Sequence, residues 1–577
     1  MPTSIEALRT NGPASGAKLW HSIDWKLEEA SVRRLRQRIY RATKAGDWKQ
    51  VRNLQKLMLR SRANALVSIK RVTQQSSGKK TAGIDGKTAL TPAARGGLAK
   101  EVLARPAIPA KPVKRVYIPK SNGKKRPLGI PVIRDRVNQA RVKNALEPEW
   151  EARFEARSYG FRPGRSTHDA IGRIFTVVSQ KNARRLWALD ADLSAAFDRI
   201  SHEHLMDQVG LFPGRNQIRG WLKAGVLEDG RFSSTPEGTP QGGVVSPLLL
   251  NVALHGMGQV VIREGTERIR ERDNQSPILI RYADDFVVLC ETEAEAWASK
   301  TRLAEWLKPR GLSFNEEKTT VRHLEDGFDF LGFNVRRYSG KLLIKPSRAA
   351  VQRAKDQVKE IIKTSLGKSA RVLIGRLNPL IRGWSTYYRH VVSKDIFEDL
   401  DERTYIALRR WAVRSHGNKS HGWVMRRYWG RHNPARADNW VFGSEGQYLR
   451  KFQWTPIVRH VLIRGGHSPD DPELQDYWKQ RTRKRLPETE SRTVLQLAYR
   501  QKGLCTLCGT DLIEGAGYDP DDVQDWAKWF TASIRAIHVH HLVYRSKGGS
   551  NHRSNLEVIH AECHRQLHAG DHSRHPQ

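Results

Sequence analysis

Two adjacent acidic residues interrupt an apolar stretch near the middle of the chain. Asp284 and Asp285 stand between ILIR and FVVLC in the segment SPILIRYADDFVVLC. Apolar runs on both sides of a short polar segment predict two buried strands that meet at a hairpin turn. Carboxylates side by side at such a turn repel each other unless cations neutralise them, and two Mg²⁺ ions roughly 3.5 to 4 Å apart do so in phosphoryl-transfer enzymes. For this dipeptide taken alone, the alternative is a solvated turn.

A metal pair of this kind needs a third carboxylate from elsewhere in the chain. The segment LWALDADLSAAFDRI predicts a strand that runs into a helix, and Asp192 lies at the end of that strand. Asp190, two residues earlier, shares the strand face of Asp192, and Asp198 would lie on the following helix. Asp192 is therefore the candidate third carboxylate.

The charge of the chain points to a polyanionic partner. Its 577 residues carry 100 Lys and Arg against 60 Asp and Glu, which leaves a net charge of +40. With 38% hydrophobic residues the chain can bury real cores, so wholesale disorder is excluded. The length predicts about three to four domains. Nucleic acid is the partner that a folded protein with this charge predicts.

The sequence indicates neither a membrane protein nor an exported one. No stretch approaches the ~20 apolar residues of a spanning helix, and the N-terminal residues lack the apolar run of a signal peptide. Four cysteines are too few for a disulfide framework, whereas Cys505 and Cys508 have the spacing of metal ligands. We expect a location in the bacterial cytoplasm, with an organelle as the alternative.

Composition and periodicity divide the chain into segments. These are an N-terminal basic helical extension (1–75), an α+β region (76–340), a basic helical region (341–391), a region with few long periodic runs (392–490) and a Cys- and His-rich region (491–577). The boundary near Gly340 follows a rise in Lys and Arg content, and helical periodicity is expected throughout Leu331 to His390.

A series of motifs follows the order found in the palm of reverse transcriptases. They are Asp192-Leu-Ser-Ala-Ala-Phe197-Asp, Gly238-Thr-Pro-Gln241-Gly-Gly, Tyr282-Ala-Asp284-Asp285, Gly311-Leu-Ser-Phe-Asn315 with Lys318, and Phe330-Leu-Gly-Phe333. Upstream, Thr81-Ala-Gly-Ile-Asp85-Gly, Ile118 to Pro131, and Tyr159-Gly-Phe-Arg-Pro-Gly-Arg-Ser166 resemble the fingers of the group II intron-encoded class. The resemblance implies a multi-domain α+β protein with right-hand polymerase fingers and palm and an α-helical thumb.

The resemblance implies a polymerase site that uses two Mg²⁺ ions. Asp192 and Asp284 would ligate the metals, and Asp285 would support them. The metals would activate the primer 3′-hydroxyl and stabilise the leaving pyrophosphate of an in-line displacement.

The resemblance also assigns residues to deoxynucleotide binding. Lys120 and Arg126 match finger residues that neutralise the triphosphate, with a solvated basic loop as the alternative. Phe197 has the position of a ring that blocks a 2′-hydroxyl, and Gln241 would pack near the nascent base pair. Lys318, in the motif after Asn315, is also assigned to substrate binding.

The segment LNPLIRGWSTYYRH resembles the thumb of intron maturases. Its spacing predicts a helix with Trp384, Tyr387 and Tyr388 on one side, where the rings either stack on RNA bases or form the core of the thumb. The side chains expected to contact intron RNA, or otherwise to form a solvated face, are Arg371, Arg376, Arg382 and Arg389.

Residues 392–490 resemble the segment of such proteins that binds the DNA target. The similarity rests on Trp411, His416, Lys419, Trp423, Tyr428-Trp429 and Val441-Phe442-Gly443. Basic residues there would contact the duplex mostly through its backbone, while the paired aromatics would hold a small fold together.

Two Cys- and His-containing pairs near the C-terminus predict a structural zinc site. Cys505 and Cys508 form one pair, and His560 and Cys563 form a second pair with the same spacing. Three thiolates and one imidazole satisfy a closed tetrahedral site, which a small domain needs in order to stay folded.

The residues around these pairs resemble a ββα HNH endonuclease. His541 would be the general base that deprotonates water, His540 and His564 would hold a single divalent ion, and Asn555 would orient or ligate. The roles of His538 and His568 stay open, and a zinc finger without catalysis is the alternative.

Together these features predict a group II intron-encoded reverse transcriptase and maturase with an HNH nuclease. Its expected partners are the intron RNA, a double-stranded DNA target and deoxynucleotides. Two rival functions are a stand-alone reverse transcriptase and nuclease that serves defence, and a splicing factor that only binds RNA. The intact Asp192, Asp284 and Asp285 argue against the second rival.

Overall fold

The computed structural model describes most of the chain. The described residues are 16–17, 19–20, 22–105, 108–119, 125–262, 277–433, 436–444, 446–483, 492–507, 512, 537–560 and 564. None of the helices within these ranges is both long and apolar enough to span a bilayer. The chain divides into two compact units: unit 1 falls within 1–154, 197–253 and 466–577, and unit 2 within 155–196 and 254–465.

The α-helices of the described residues are numbered in chain order. They are α1 (Trp25–Lys44), α2 (Trp48–Arg60), α3 (Arg62–Lys70), α4 (Pro92–Ala104), α5 (Ile133–Arg153), α6 (Thr167–Val178), α7 (Ala196–Arg199), α8 (His202–Val209), α9 (Arg215–Leu222), α10 (Ser246–Ala253), α11 (Met257–Val260), α12 (Glu293–Leu307), α13 (Arg348–Lys363), α14 (Ala370–Tyr388), α15 (Lys394–Ser415), α16 (His421–Tyr428), α17 (Gln475–Arg483) and α18 (Arg492–Arg500).

The strands are numbered in the same way. They are β1 (Val113–Pro119), β2 (Lys125–Ile130), β3 (Trp187–Ala191), β4 (Val226–Glu228), β5 (Arg231–Ser233), β6 (Ile278–Tyr282), β7 (Asp285–Cys290), β8 (Thr320–His323), β9 (Phe328–Phe330), β10 (Phe333–Tyr338), β11 (Lys341–Pro346), β12 (Trp429–Gly430), β13 (Val441–Ser444), β14 (Gln447–Tyr448), β15 (Ile537–His541) and β16 (Leu556–His560). The described sheets have the orders β2-β1-β4-β5, β6-β7-β3-β8, β11-β10-β9, β12-β13-β14 and β15-β16.

Unit 1 contains a helical core around α5. This helix is buried along nearly its whole length and packs against α1, α2 and α3. Apolar side chains of α3 and α5, such as Leu66, Ile69 and Val137, form the core with residues of α4. The basic N-terminal helices expected from the sequence are confirmed, since α1 to α3 cover most of residues 25 to 70.

One basic residue of α1 is fixed inside this unit by two carboxylates. Arg36 forms a bidentate pair with Asp470, with Nε and Nη2 at 2.7 and 2.6 Å from its oxygens. Its Nη2 also lies 2.9 Å from Glu147 of α5. All three side chains are largely buried, so this arginine joins α1, α5 and the chain near residue 470. Arg36 is therefore a structural residue of the basic extension.

We expect Arg36→Met to destabilise unit 1 by roughly 3–5 kcal/mol, because removing the guanidinium leaves two buried carboxylates without their cation. The midpoint of urea unfolding, followed by tryptophan fluorescence, measures the effect. Arg33→Met, at an exposed position of the same helix, is the matched control. Equal midpoints for the two variants would contradict a structural role for Arg36.

Unit 1 also contains the sheet β2-β1-β4-β5 and, toward the C-terminus, the hairpin β15-β16. Helix α18 packs on strand β16 of this hairpin. Together they form a small apolar core around Leu497, Val558 and Ile559. Cys505 is buried in the same core.

Unit 2 is built on the sheet β6-β7-β3-β8. Residues Phe286 to Cys290 of β7 are fully buried because the strand is central and covered by α12, while α6 contacts β6. The same apolar core continues through the sheet β11-β10-β9 into α13, α14 and α15. The predicted strand-turn-strand around Asp284 and the predicted strand before Asp192 are both confirmed.

Two expectations about regular structure are wrong. Helical periodicity was expected from Leu331 onward, but β10 and β11 occupy residues 333 to 346 and the helices begin at Arg348. Gly340 lies in the turn of this hairpin, where its positive φ of 81° suits glycine. Few long runs of residues with helical periodicity were expected after Val392, yet the helix α15 spans 22 residues. Its buried Phe397, Leu400 and Leu408 recur at helical spacing, which gave a signal for that helix.

Candidate active site

The acidic turn is a two-residue hairpin between β6 and β7. Tyr282 pairs with Asp285 across the hairpin, which leaves Ala283 and Asp284 as the turn. Ala283 has a φ of 62°, the left-handed conformation that a tight hairpin turn requires. The buried apolar residues on both strands therefore hold Asp284 and Asp285 at one end of the sheet.

The strand register brings Asp192 to this turn. Strand β3 runs antiparallel to β7, and Ala191 lies opposite Phe286. Asp192, which follows Ala191, is therefore level with Asp285, which precedes Phe286. Their carboxyl groups share a hydrogen bond. Burial, together with the negative charges of Asp284 and Asp192, raises the pKa of Asp285 to about 7. The three carboxylates predicted from the sequence are thus gathered at one edge, and Asp192 and Asp285 are in contact.

The side chain of Lys318 lies against Asp192 and forms an ion pair with it. The main chain fixes this lysine's position, because Asn315 donates to the Asp192 carbonyl at 2.8 Å and Ser194 donates to the Ser313 carbonyl at 2.9 Å. The hydrogen bond to Asp192 raises the pKa of Lys318. A cation therefore already faces the carboxylates, as expected where negative charge is concentrated.

Asp192 and Asp285 open into a cavity of about 1100 Å³. Asp190 lines it, and burial raises the pKa of Asp190 to about 7. One wall of the cavity is basic and was not predicted from the sequence; it is formed by Arg322, Arg336, Lys345, Arg348 and Lys355. Polar and apolar residues alternate in FNVRRY, and this pattern indicated part of the basic wall. Asn334 and Arg336 share the strand face that lines the cavity, and the buried Val335 lies on the other face.

Three of the residues expected to bind deoxynucleotides are connected through the main chain of unit 1. Arg126 is exposed on β2. The Gln241 carbonyl accepts a 2.7 Å hydrogen bond from Gly129 of the same strand, and the Phe197 carbonyl accepts one from Thr239. Gly242 is required in this loop, since a Cβ there would lie 2.8 Å from the Gly129 carbonyl. Lys120 lies outside the described residues.

The predicted RNA-contacting arginines belong to α14 and its C-terminal end. Arg371, Arg376 and Arg382 are exposed, and Arg376 also donates to Ser365 at 2.8 Å. Arg371 and Arg382 are three turns apart and share a face, whereas Arg376 points elsewhere. Arg389 caps the helix and donates to the Pro456 carbonyl at 3.1 Å.

The aromatic residues of this helix form its core. Trp384 packs on Tyr388 with ring centroids 4.4 Å apart, and Tyr388 is 5% exposed. The hydroxyl of Tyr387 donates to Thr167 at 3.1 Å. The predicted side of the helix is confirmed, and the alternative of a core role describes these rings better than stacking on bases.

Aromatic residues of the next segment are likewise structural. Trp411 is buried and donates to the Ser365 carbonyl at 3.0 Å. Tyr428 stacks on Phe442 and its hydroxyl lies 2.7 Å from His416. These contacts agree with the expectation that the paired aromatics hold this region together.

A second pocket, of about 470 Å³, lies on the β15-β16 hairpin. His540, His541 and His564 line it, and the His564 ring lies 5.5 Å from that of His540 and 5.2 Å from that of His538. His541 Nε2 is 2.9 Å from the Asn551 amide oxygen. The predicted nuclease histidines are thus brought together, while His568 lies outside the described residues.

Asn555 uses its amide to fix the loop beside His541. Its oxygen accepts from the Val543 amide at 2.8 Å, and its nitrogen donates to the Val543 and Ser550 carbonyls at 3.0 and 2.8 Å. These bonds hold the loop beside His541 in place, and the expected role of Asn555 in the nuclease site stays a prediction.

The predicted zinc ligands are described only in part. Cys505 is buried and His560 lies on β16, whereas Cys508 and Cys563 lie outside the described residues. Among the described residues, no three carboxylates, imidazoles or thiolates converge closely enough to hold a metal ion.

Family models match four parts of the chain. The matches are the reverse transcriptase (RNA-dependent DNA polymerase) at 118–335, the N-terminal domain of reverse transcriptase at 20–102, the group II intron maturase-specific domain at 351–429 and the HNH endonuclease at 528–570. The maturase match therefore includes α15 and α16, which the sequence analysis placed in the DNA-binding segment.

Curated relatives are similar to about half of this chain. Protein YkfC of Escherichia coli is 36% identical over 305 residues, which cover 47% of this chain and 80% of that protein. Group II intron-encoded protein LtrA of Lactococcus lactis is 30% identical over 298 residues, 40% of this chain and 48% of LtrA. Maturase-like protein 1 of Euglena gracilis is 29% identical over 377 residues, 63% of this chain and 77% of that protein. The chain thus spans about half the length of LtrA.

The match to the reverse transcriptase model covers the sheet that brings Asp192 level with Asp285, and it defines the class of this protein as a reverse transcriptase. The maturase-specific domain narrows the class, and the chain belongs to the group II intron-encoded reverse transcriptases, with an HNH endonuclease domain near its C-terminus.

We expect Asp192→Asn to lower the rate of primer extension on an RNA template by about three orders of magnitude, because the acidic edge loses a charge needed at the reacting phosphate. RNA affinity should stay unchanged, since the substitution is small and local. The exposed Asp207→Asn on α8 is the control. An Asp192→Asn enzyme that extends primers at the rate of the control would disprove the assignment of the site.

Proposed function

We propose that this protein copies group II intron RNA into DNA and assists the splicing of that RNA. The contact between Asp192 and Asp285, set by the β3-β7 register, carries the proposal. In this proposal the sheet β6-β7-β3-β8 is the palm, the sheet β2-β1-β4-β5 belongs to the fingers, and α13 and α14 form the thumb.

The carboxylates of Asp192, Asp284 and Asp285 suit Mg²⁺, because their oxygens are hard ligands. The ammonium group of Lys318 pairs with Asp192, so a cation is already accepted at this position. Asp192 and Asp284 would hold two Mg²⁺ ions, with Asp285 in support. Bound Mg²⁺ would supply activation of the primer 3′-hydroxyl and charge neutralisation at the leaving pyrophosphate. Lys318 would then turn from Asp192 to the phosphates of the substrate.

The main chain of unit 1 supports a deoxynucleotide site. Arg126, together with Lys120, would bind the triphosphate of the incoming nucleotide, because guanidinium groups contact phosphate in a bidentate manner. The Phe197 ring would exclude a 2′-hydroxyl, and the loop of Gln241, tied to β2, would pack at the nascent base pair.

The exposed face of α14 is proposed to bind intron RNA. Arg371 and Arg382 supply positive charge on this face. Gly375 lies between them, and a Cβ at that position would meet nothing within 4 Å. A smooth basic helix face of this kind allows the RNA backbone to approach closely.

We expect Arg371→Glu and Arg382→Glu each to weaken intron RNA binding and to reduce the slope of log K against log salt by about one unit, because one phosphate contact is lost. Filter binding over a range of KCl concentrations measures both quantities. Lys308→Glu makes the same charge change at an exposed position outside α14. If Lys308→Glu alters affinity and slope as much as the α14 variants, the proposed interface is wrong.

The C-terminal hairpin is proposed to nick DNA. His541 would deprotonate water, and its contact with Asn551 holds the ring in place. His540 and His564 would bind one divalent ion, a role that their shared pocket supports. Cys505, Cys508, His560 and Cys563 would bind a structural Zn²⁺.

We expect His541→Ala to abolish second-strand nicking while zinc content and primer extension stay normal, because it removes a base and no zinc ligand. Cys508→Ala should lose zinc and become protease-sensitive in its C-terminal region. Strand-resolved nicking assays and zinc analysis measure both effects. His552→Ala, an exposed histidine outside the pocket, is the control. Full zinc content in Cys508→Ala would refute the zinc assignment.

These parts fit one sequence of events. The intron RNA inserts into one strand of a double-stranded DNA target, the nuclease nicks the other strand, and the new 3′ end primes copying of the inserted RNA. Residues 392–490 would contact the target duplex. Because the protein would act on intron RNA and on a DNA target, we propose a cytoplasmic location. A stand-alone enzyme of defence would not need the maturase domain at 351–429.

A further inference from the structure

The residue that precedes the acidic turn by two positions is a fully buried arginine. Arg281 lies on β6 and is 0% exposed, in a strand that is otherwise apolar. A guanidinium that is removed from water raises the energy of the fold unless protein groups replace its solvent. Burial lowers the pKa of Arg281 to about 10, so the group stays charged at neutral pH.

The guanidinium bonds to the turn itself. Its Nη1 donates to the Ala283 carbonyl at 3.1 Å. Ala283 holds the positive φ of 62°, a conformation that costs a non-glycine residue free energy and needs support from its surroundings. The bond therefore fixes the main chain of the residue directly before Asp284.

A neighbouring segment closes around the same turn. Arg281 donates its amide to the Arg157 carbonyl at 3.0 Å, and Tyr159 donates to the Arg281 carbonyl at 2.9 Å, so residues 157–159 extend the edge of β6. Gly160 then passes against the turn, where a Cβ would lie 2.3 Å from the Ala283 nitrogen. Only glycine permits this approach, which leaves the turn enclosed by main chain.

Charges around Arg281 favour an acidic turn. Asp284 and Glu155 attract the guanidinium, while Arg162 repels it. Arg162 is itself held by hydrogen bonds to the Glu155 and Ser158 carbonyls, at 2.7 and 2.8 Å. A buried positive charge near Asp284 lowers the repulsion among the carboxylates, and electrostatic interactions are stronger where water is excluded.

We propose that Arg281 is a positioning residue of the polymerase site, which holds the turn at Ala283 and offsets the charge of Asp284 so that the carboxylates stand ready for Mg²⁺. This inference rests on the proposed polymerase function. It predicts that Arg281 affects metal affinity through the turn, beyond any effect on stability.

A second buried arginine of unit 2 gives a matched control. Arg337 on β10 is 5% exposed and donates to the Gln180, Lys181 and Gly340 carbonyls. It also supports a hairpin turn, but that turn carries no acidic residue. A role confined to stability would make Arg281→Met and Arg337→Met equivalent.

Binding of Mn²⁺, a spectroscopic substitute for Mg²⁺, tests the proposal directly in the full-length chain. Electron paramagnetic resonance counts bound Mn²⁺, and sites that persist in Asp192→Asn are subtracted. We expect Arg281→Met to weaken the Asp192-dependent binding about tenfold and to raise the Mg²⁺ concentration for half-maximal primer extension to a similar degree. Arg281→Lys, which keeps the charge, should restore part of the affinity. Arg337→Met should lower the melting temperature without changing Mn²⁺ affinity.

The outcomes separate the inference from the function on which it rests. Wild-type Mn²⁺ affinity in both Arg281 variants, or equal losses in Arg281→Met and Arg337→Met, would overturn the inference alone. Absence of any Asp192-dependent Mn²⁺ binding in the wild type would overturn the metal site itself. If Arg281→Met does not fold, Arg281→Lys decides by amide hydrogen exchange: faster exchange at residues 283–285 than in Arg337→Lys supports the inference, and equal exchange overturns it.

Discussion

The proposed polymerase site depends on the register between two antiparallel strands. Because Ala191 faces Phe286, Asp192 comes level with Asp285, and two carboxylates meet at the edge of an apolar sheet. Their repulsion works against the fold, since burial and neighbouring negative charge both disfavour ionisation. The buried strands hold the register, while Lys318 at the exposed side and Arg281 in the core contribute compensating positive charge. The fold thus keeps together groups that would separate in a flexible chain.

The large positive charge of the chain serves two different purposes. Some arginines are interior parts of the fold: Arg36 joins two carboxylates, and Arg337 holds a hairpin turn through three carbonyls. Others, such as Arg371 and Arg382, point to solvent on one face of a helix. Net charge predicts a nucleic-acid partner, yet it does not distinguish these groups, because a buried and an exposed guanidinium contribute equally to the sum.

For aromatic and amide side chains too, the residue type suggests one role and the position in the fold decides another. Trp384 and Tyr388 have the spacing of a stacking surface for bases, but the packing of α14 turns them toward the core. Asn555 has the position of a nuclease residue, and its amide is used to hold the loop that precedes it. Neighbouring elements decide such roles, since a side chain can contact RNA or metal only if the fold leaves it accessible.

The sequence by itself determined the class of the protein, the order of its parts and most of its candidate site. Motif order identified the carboxylates, and alternating apolar residues predicted the strands around Asp284, because local patterns reflect local structure. Only the tertiary structure decided that Asp192 touches Asp285, that β10 and β11 precede the helices, and that Arg281 supports the turn. The pairing of β3 with β7 joins residues about a hundred positions apart, and which strands pair depends on the packing of the whole sheet rather than on any single segment.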